Sequence, residues 1–332
     1  MFPFARTPYV FRAVTKNGKF TFLGAIFRLF VIMWVTELIA SLPTFALAVV
    51  DNFQELYVLV NDYAAGRLTP DQYSAVVESL FTESLGSPIY EIASLVGMVV
   101  VGAGAFFYML VLDKRPFYQM ALTLNKKEAK FLPLFFLGGI VAAGILSGVL
   151  FLSGALQFTL TTPTLLHLAA IPIDLLASSA YLFFFLGAFL PVALSHTKVF
   201  WRTVIWTSVL LGLYITPNYA DSWIGIINGM LLSLFLVLLT VRTGSLWSSI
   251  LSYGGFVLAS HILFGDGVYH YLTSAIFNPL LTAGRELTHG GLGGYLNGIG
   301  ATLVIALAFL PLLYRAKPKE DTNSGSFEQS TL

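Results

Sequence analysis

The sequence predicts an all-α, polytopic membrane protein of about eight transmembrane helices, and three observations carry that expectation. Hydrophobic residues make up 57% of the 332 residues and charged residues only 11%, against about 25% charged in soluble domains. The mean hydropathy is +0.80. The apolar residues fall into long runs, and cations collect on alternate sides of those runs.

A spanning helix needs roughly 20 mostly apolar residues, and backbone in lipid must satisfy its own hydrogen bonds. Eight runs meet this as helices: 21–49, 90–112, 131–155, 169–194, 200–216, 222–241, 246–264 and 295–314. Together they form a transmembrane domain over 21–315, after a cytoplasmic N-terminal segment at 1–20. The fifth run, "FWRTVIWTSVLLGLYIT", is short. In the first, "ALAVV" resembles a small-residue cleavage site. The preceding apolar stretch runs from about Phe20 and contains Glu37, too long for a signal-peptide core, so the segment reads as a retained helix.

Lys and Arg orient the bundle. Arg6, Arg12, Lys16 and Lys19 precede the first run; Lys114, Arg115, Lys126, Lys127 and Lys130 follow the second. Lys198 and Arg202 follow the fourth, Arg242 the sixth, and Arg315, Lys317 and Lys319 the eighth. The other side carries Arg67 and Arg285 among nine acids, from Asp51 and Glu55 to Asp266 and Glu286. By the positive-inside rule both termini are cytoplasmic.

The connections are legible too. The outer segment 51–88 is long for a loop and should hold structure of its own. Within it Thr69 and Pro70 read as an N-cap and first helical residue. Tyr73, Val76, Val77, Leu80 and Phe81 then share one face of an amphipathic helix, which would lie on the outer leaflet, cap the bundle or dock a partner. The outer segment 265–294 is aromatic and Gly-rich and reads as re-entrant or interfacial. The polar tail, 316–332, has few apolar anchors and reads as disordered.

Between the sixth and seventh runs lies "LTVRTGSLWSSILSYGG". Arg242 is the cation of a short inner turn, expected at the headgroups, and Gly244 supplies the bend. Ser245 is placed to cap the next helix, and Trp247 suits an aromatic belt. The words of the turn, "RTGSLWSSI", resemble the "RTGSLWP-I" hairpin of the CPBP family (CAAX prenyl protease and bacteriocin-processing, or Abi) of intramembrane proteases. "LVLDKRPFYQMALTLNKKEAKFLPLFFLGG" resembles that family's second-to-third span connection, and "FLP" at 189–191 the end of its glutamate helix. The resemblance covers about 90–260 and implies a CPBP-like helical bundle in a bacterial cytoplasmic (inner) membrane.

Members of that family use a Glu-Glu pair with a following Arg, a Phe and His four apart, and a His and Asn four apart. Gapless alignment places the Glu pair at Tyr181 and Leu182 and the Arg at Leu186. The Phe and first His fall at Leu211 and Ile215, with Asn218 and Asn228 where relatives often carry Asn. The last His and Asn fall at Tyr253 and Val257. From Ser178 to Leu194 there is no Asp, Glu, Arg, Lys or His, and neither Tyr nor Leu is a base near neutral pH. The expectation is a catalytically dead relative, drier inside than an active one, that serves a membrane-protein partner as scaffold, assembly factor or regulator. Tyr181 and Tyr253 would either share a hydrogen bond across the former site or simply pack there.

Two alternatives stay open: an active endopeptidase with relocated groups, drawing on Glu37 or Asp174, and a small transporter or lipid-handling protein that merely echoes the turn. Ionisable residues inside a membrane are functional candidates by default: Arg28 and Glu37 in the first run, Glu91 at the edge of the second, Asp174 after Pro172, and His261 in the seventh. Arg28 is within snorkelling reach of the inner surface. Four histidines (His167, His261, His270, His289) fall near the outer side without any HExxH-like spacing, so no zinc site is expected. The chain has no Cys, which removes disulfides, thiolate nucleophiles and Cys-ligated metals. No cofactor is expected. Inner cations suit anionic lipid headgroups, and nothing in their pattern indicates nucleic acid.

Overall fold

The computed structural model describes residues 22–85, 88–115, 117–122, 129–162, 165–196, 200–215, 222–265, 275–290 and 294–313. The chain is a bundle of helices. α1 (Phe22–Asp51) is followed by a helical pair, α2 (Phe53–Ala64) and α3 (Pro70–Leu85). Then come α4 (Pro88–Phe107), extended by a π-helical turn at Tyr108–Leu112, and α5 (Leu132–Leu152). α6 (Leu165–Leu182) runs through a π-helical stretch, Phe183–Phe189, into α7 (Leu190–His196). α8 (Phe200–Ile215), α9 (Trp223–Thr243) and α10 (Leu246–Leu258) follow, the last extended by a π turn at Ala259–Leu263. A short α11 (Glu286–His289) precedes α12 (Ile299–Leu313).

Among the described residues five helical segments are long and apolar enough to cross a membrane: Leu23–Asp51, Leu132–Leu152, Ser178–Ser195, Trp223–Thr243 and Leu246–Leu263. Three shorter apolar helices, Val96–Leu112, Phe200–Ile215 and Ile299–Leu310, lie in the other three expected runs. Burial sorts the five into layers. The Ser178–Ser195, Trp223–Thr243 and Leu246–Leu263 segments are 72%, 67% and 78% buried and form the centre, whereas α1 at 17% and α5 at 28% are peripheral. Phe27, Trp34, Leu38 and Phe45 on α1, and Leu134, Leu137 and Val141 on α5, are exposed, as suits faces turned to lipid tails.

Small residues let the helices meet backbone to backbone, the usual solution where lipid removes the hydrophobic drive for association. α5 crosses α10 at paired glycines. A Cβ on Gly139 would sit 2.1 Å from the Ser252 carbonyl oxygen, and one on Gly255 would sit 2.2 Å from that of Phe136. α1 approaches α4 the same way, through Gly97 against Ala40 and Gly104 against Thr36.

Three features depart from the sequence expectation. The third run ends as helix at Leu152, and Leu156–Leu160 is instead a strand, β1, pairing antiparallel with β2 (Phe277–Leu281) in the register Leu156 to Leu281. The 265–294 segment therefore contributes an edge strand and the α11 turn rather than a re-entrant hairpin, as far as it is described. Phe158 and Phe264 hold the ladder to the bundle, with ring centroids 6.3 Å apart. The third departure is the π-helical stretches, which give extra residues to one turn and shift the faces that follow.

The α2–α3 pair is built on a capping box. Gln72 N–H donates to Thr69 Oγ1 (3.3 Å) and Thr69 N–H to Gln72 Oε1 (3.0 Å), satisfying two N-terminal donors at once. Tyr73 then stacks on Tyr63 of α2 at 4.8 Å. Arg6, Arg12, Lys16, Lys19, Lys126, Lys127, Lys198, Asn218, His270 and the 316–332 tail lie outside the described residues. So do the side chains of Phe81, Glu91, His167 and Asp174.

Candidate functional site

The positions that the gapless alignment sets against the family's motifs fall into one apolar core. Leu182, Leu186 and Leu211 have no exposed surface, and Ile215, Tyr253 and Val257 are 5–7% exposed. All six belong to a single contiguous cluster, with Tyr181 half-buried against it. Leu182 immediately precedes the π-helical stretch Phe183–Phe189 and Leu186 lies within it, alongside the buried Phe184, Phe185 and Phe189. The space a polar site would need is occupied by leucine and phenylalanine. Tyr181 itself stacks on Tyr214, centroids 4.5 Å apart, and Tyr214 continues to Phe185 at 5.5 Å.

Hydrogen bonding around the core is structural. Asn228 is fully buried, and its Nδ2 donates to the carbonyls of Leu296 (2.7 Å) and Gly298 (3.0 Å). Its Oδ1 accepts from Thr302 Oγ1 at 2.7 Å. Both amide hydrogens and the amide oxygen are thereby engaged, so Asn228 pins α9 to the start of α12 rather than facing a substrate. Ser222 repeats the theme at the head of α9, accepting from Gly225 N–H (3.2 Å) and donating to the Asn297 carbonyl (3.2 Å).

The α9–α10 turn is a second pin. Gly244 takes φ +70° and closes α9 by donating to Thr240 O at 2.8 Å, a left-handed cap that glycine adopts without strain. Ser245 occupies the N-cap position of α10 but makes no side-chain cap bond; its buried hydroxyl has no partner. Thr243 braces the turn from the other side, its Oγ1 accepting from Ser245 N–H (3.3 Å) and pairing with Ser248 Oγ (2.7 Å). Arg242 is not simply a headgroup anchor: its Nη1 donates to the Leu312 carbonyl, tying the turn to the C-terminal end of α12. Trp247 reaches inward instead of marking a belt. Its Nε1 donates to Leu122 O, and Leu246 N–H to Ala121 O, both at 2.8 Å. Across this contact Arg115 is buried, paired with Asp113, and donates through Nη2 to Ser195 Oγ at 3.0 Å. The "RTGSLW" words and Arg115 of the 113–122 connection thus lock one joint.

The remaining intramembrane candidates separate. Arg28 is exposed on α1 and lies in electrostatic range of Tyr108, whose hydroxyl donates to Ala25 O at 3.0 Å. His261 is buried in the π turn that ends the α10 segment. His289 is buried beside β2, its Nε2 3.2 Å from the Thr282 carbonyl. Among the described residues no group of three or more His, Asp or Glu is placed to hold a metal ion. Glu37 is different: it lies half-buried on α1 in electrostatic range of Tyr181, and its Oε1 is buried without a hydrogen-bond partner. The sequence flags Glu37 as an intramembrane acid; its closeness to Tyr181 needs the packing of α1 on the π-helical stretch and has no sequence signal.

Comparison with known proteins gives one match. Residues 182–259 match the family model described as type II CAAX prenyl endopeptidase Rce1-like, a narrower span than the 90–260 likeness read from the sequence. No curated protein and no solved structure matches the chain. The matched segment contains no Glu, one Asp (Asp221) and one His (His196). It runs from the start of the π-helical stretch through the Gly244 turn to the end of α10, which is the centre of the bundle. The chain is therefore a polytopic, predominantly helical membrane protein whose residues 182–259 are similar to the Rce1-like type II CAAX prenyl endopeptidase family.

Proposed function

We propose that this protein is a non-catalytic CPBP-like membrane protein that serves another membrane protein as scaffold, assembly factor or regulator. The observation that carries the reading is the fully buried packing of Leu182, Leu186 and Leu211 where the family places acid, guanidinium and aromatic side chains. Hydrolysis of a peptide bond needs a base to activate water and donors aimed at the oxyanion. Leucine offers neither, and a dry leucine-lined centre has no room for the water. A scaffold retained without its chemistry keeps its surfaces, and these include two helices, α1 and α5, whose outer faces carry large exposed apolar side chains. In this reading both termini are cytoplasmic, the α2–α3 pair lies outside, and the protein resides in a bacterial cytoplasmic membrane.

A second reading, an endopeptidase with relocated groups, draws on Glu37 beside Tyr181. The test compares the purified protein in proteoliposomes with an active family member, on a peptide ending in a prenylated CAAX sequence. The proposal expects no turnover above protein-free vesicles. Turnover that disappears in Glu37→Gln overturns it in favour of the second reading.

A further inference from the structure

Several buried polar atoms lack a hydrogen-bond partner among the described residues, and one of them, Glu37 Oε1, belongs to a helix at the edge of the bundle. Glu37 sits midway along α1, the least buried of the long apolar helices. Three faces of α1 can be told apart. Thr36 and Ala40 meet Gly104 and Gly97 of α4. Phe27, Val31, Trp34, Leu38, Leu42 and Phe45 form an exposed stripe, at the three- and four-residue spacing of one helix face. Between these faces Phe30 and Glu37, two turns apart, share an edge. Phe30 lies against Phe185 and Phe189, with centroids 6.4 and 6.2 Å away, which brings Glu37 alongside Tyr181 and the Tyr181–Tyr214 stack.

Among the described residues no hydrogen bond reaches the buried Oε1 of this carboxyl. The neighbouring Thr36 hydroxyl is spent on its own helix, donating to Ile32 O and Met33 O. An acid at mid-span is costly without a donor, and Glu37 is only half-buried, beside the exposed Trp34 and Leu38 of the same helix. A cation is the best complement, because it pairs with a carboxylate through a charge-assisted bond. A second copy of this chain is a poor occupant, because a parallel α1–α1 pair sets Glu37 against Glu37.

We propose that the α1 edge formed by Trp34, Glu37, Leu38, Tyr181 and Tyr214 docks a transmembrane helix of the partner protein, and that this helix carries a Lys or Arg at the depth of Glu37. The inference rests on the partner-binding function proposed above and adds the surface and the chemistry that recognises it.

The test uses the full chain in its native membranes, with a photo-crosslinking benzoylphenylalanine in place of Trp34 or Leu38, and in place of Leu137 on the far face of the bundle. Crosslinked peptides are identified by mass spectrometry. Crosslinks from positions 34 and 38 should reach one transmembrane segment bearing a Lys or Arg within a turn of the attachment point. Their yield should fall tenfold or more in Glu37→Leu, and less in the isosteric Glu37→Gln, with both variants accumulating to the wild-type level. Adducts to lipid alone, a segment without a basic residue, or a yield indifferent to Glu37 would overturn the inference. Protein crosslinks from position 137 with none from 34 or 38 would overturn it while leaving the partner-binding function standing. No protein crosslink from any of the three would remove both.

Discussion

Substituting Leu182 by Ala and by Glu separates a dry centre from a wet one. Leu182 has no exposed surface and belongs to the central apolar cluster. Removing its branched end leaves a cavity between α6 and the π-helical stretch. In water-soluble cores such a deletion costs roughly 2–5 kcal/mol. Here the side chain's alternative surroundings are lipid tails, so mostly packing is lost and about 2 kcal/mol is the better figure. Glu nearly preserves the volume and avoids most of that cavity. It instead places a carboxyl among Leu186, Phe184 and Phe185 with no donor in reach, and an unpartnered buried polar group costs roughly 2–7 kcal/mol. Leu182→Glu should therefore be the less stable variant, by a few kcal/mol on these figures, although it restores the family's acid. Reversible unfolding in mixed micelles, monitored by Trp fluorescence, reads the order directly. If Leu182→Glu is as stable as wild type and Leu182→Ala is the worse of the two, the position is hydrated and the reasoning fails.

Other outcomes follow from the same contacts. Gly139→Leu should separate α5 from α10, because even a Cβ would lie 2.1 Å from the Ser252 carbonyl oxygen; overpacking of this kind costs about 1–3 kcal/mol or more, and unchanged unfolding would mean the crossing is looser than described. Trp247→Phe keeps a ring in place but leaves the Leu122 carbonyl without its indole donor. It should cost roughly 1 kcal/mol and expose the 113–130 connection to limited proteolysis, whereas wild-type cleavage kinetics would show that the bond does not hold the joint. Glu286, fully exposed in the outer turn, accepts hydrogen bonds from its own N–H and that of Gly284, which hold its carboxylate below the usual value of 4.5. The bonds therefore persist above that value and are lost as pH falls through the lowered one, so the Gly284 amide shift should titrate with a midpoint below 4.5. A midpoint at or above it contradicts the pairing.

The parts of this structure readable from sequence are those governed by local chemistry. A glycine needed at φ +70° announces the Gly244 turn, and Thr-Pro-Asp-Gln announces the cap of α3, because in each case neighbouring residues decide the outcome. The apolar runs give the helices for the same reason, since lipid permits little else. What escaped depends on partners far along the chain. "LQFTL" becomes strand only because Phe277–Leu281 lies beside it. Ser245 has the residue type of a cap, yet its hydroxyl makes no cap bond, and Leu246 N–H is met instead by Ala121 O from far along the chain. Arg242 finds the end of α12, a contact across 70 residues. At the candidate site the replaced positions could be counted from the sequence, but their packing into one filled core could not. Nor could the approach of Glu37 to Tyr181, because the π-helical stretch shifts the faces that a regular helix would present.

The most direct test of the filled centre exploits the absence of cysteine from the chain. Single Leu186→Cys, Leu211→Cys and Val257→Cys variants, each in an unlabelled background, are exposed in intact membranes to a small membrane-impermeant thiosulfonate and then to maleimide after denaturation. The account predicts no thiosulfonate labelling at any of the three before denaturation and full maleimide labelling after it. Rapid labelling of the folded protein at these positions would place water at the heart of the bundle and contradict the claim that hydrocarbon has replaced the chemistry there.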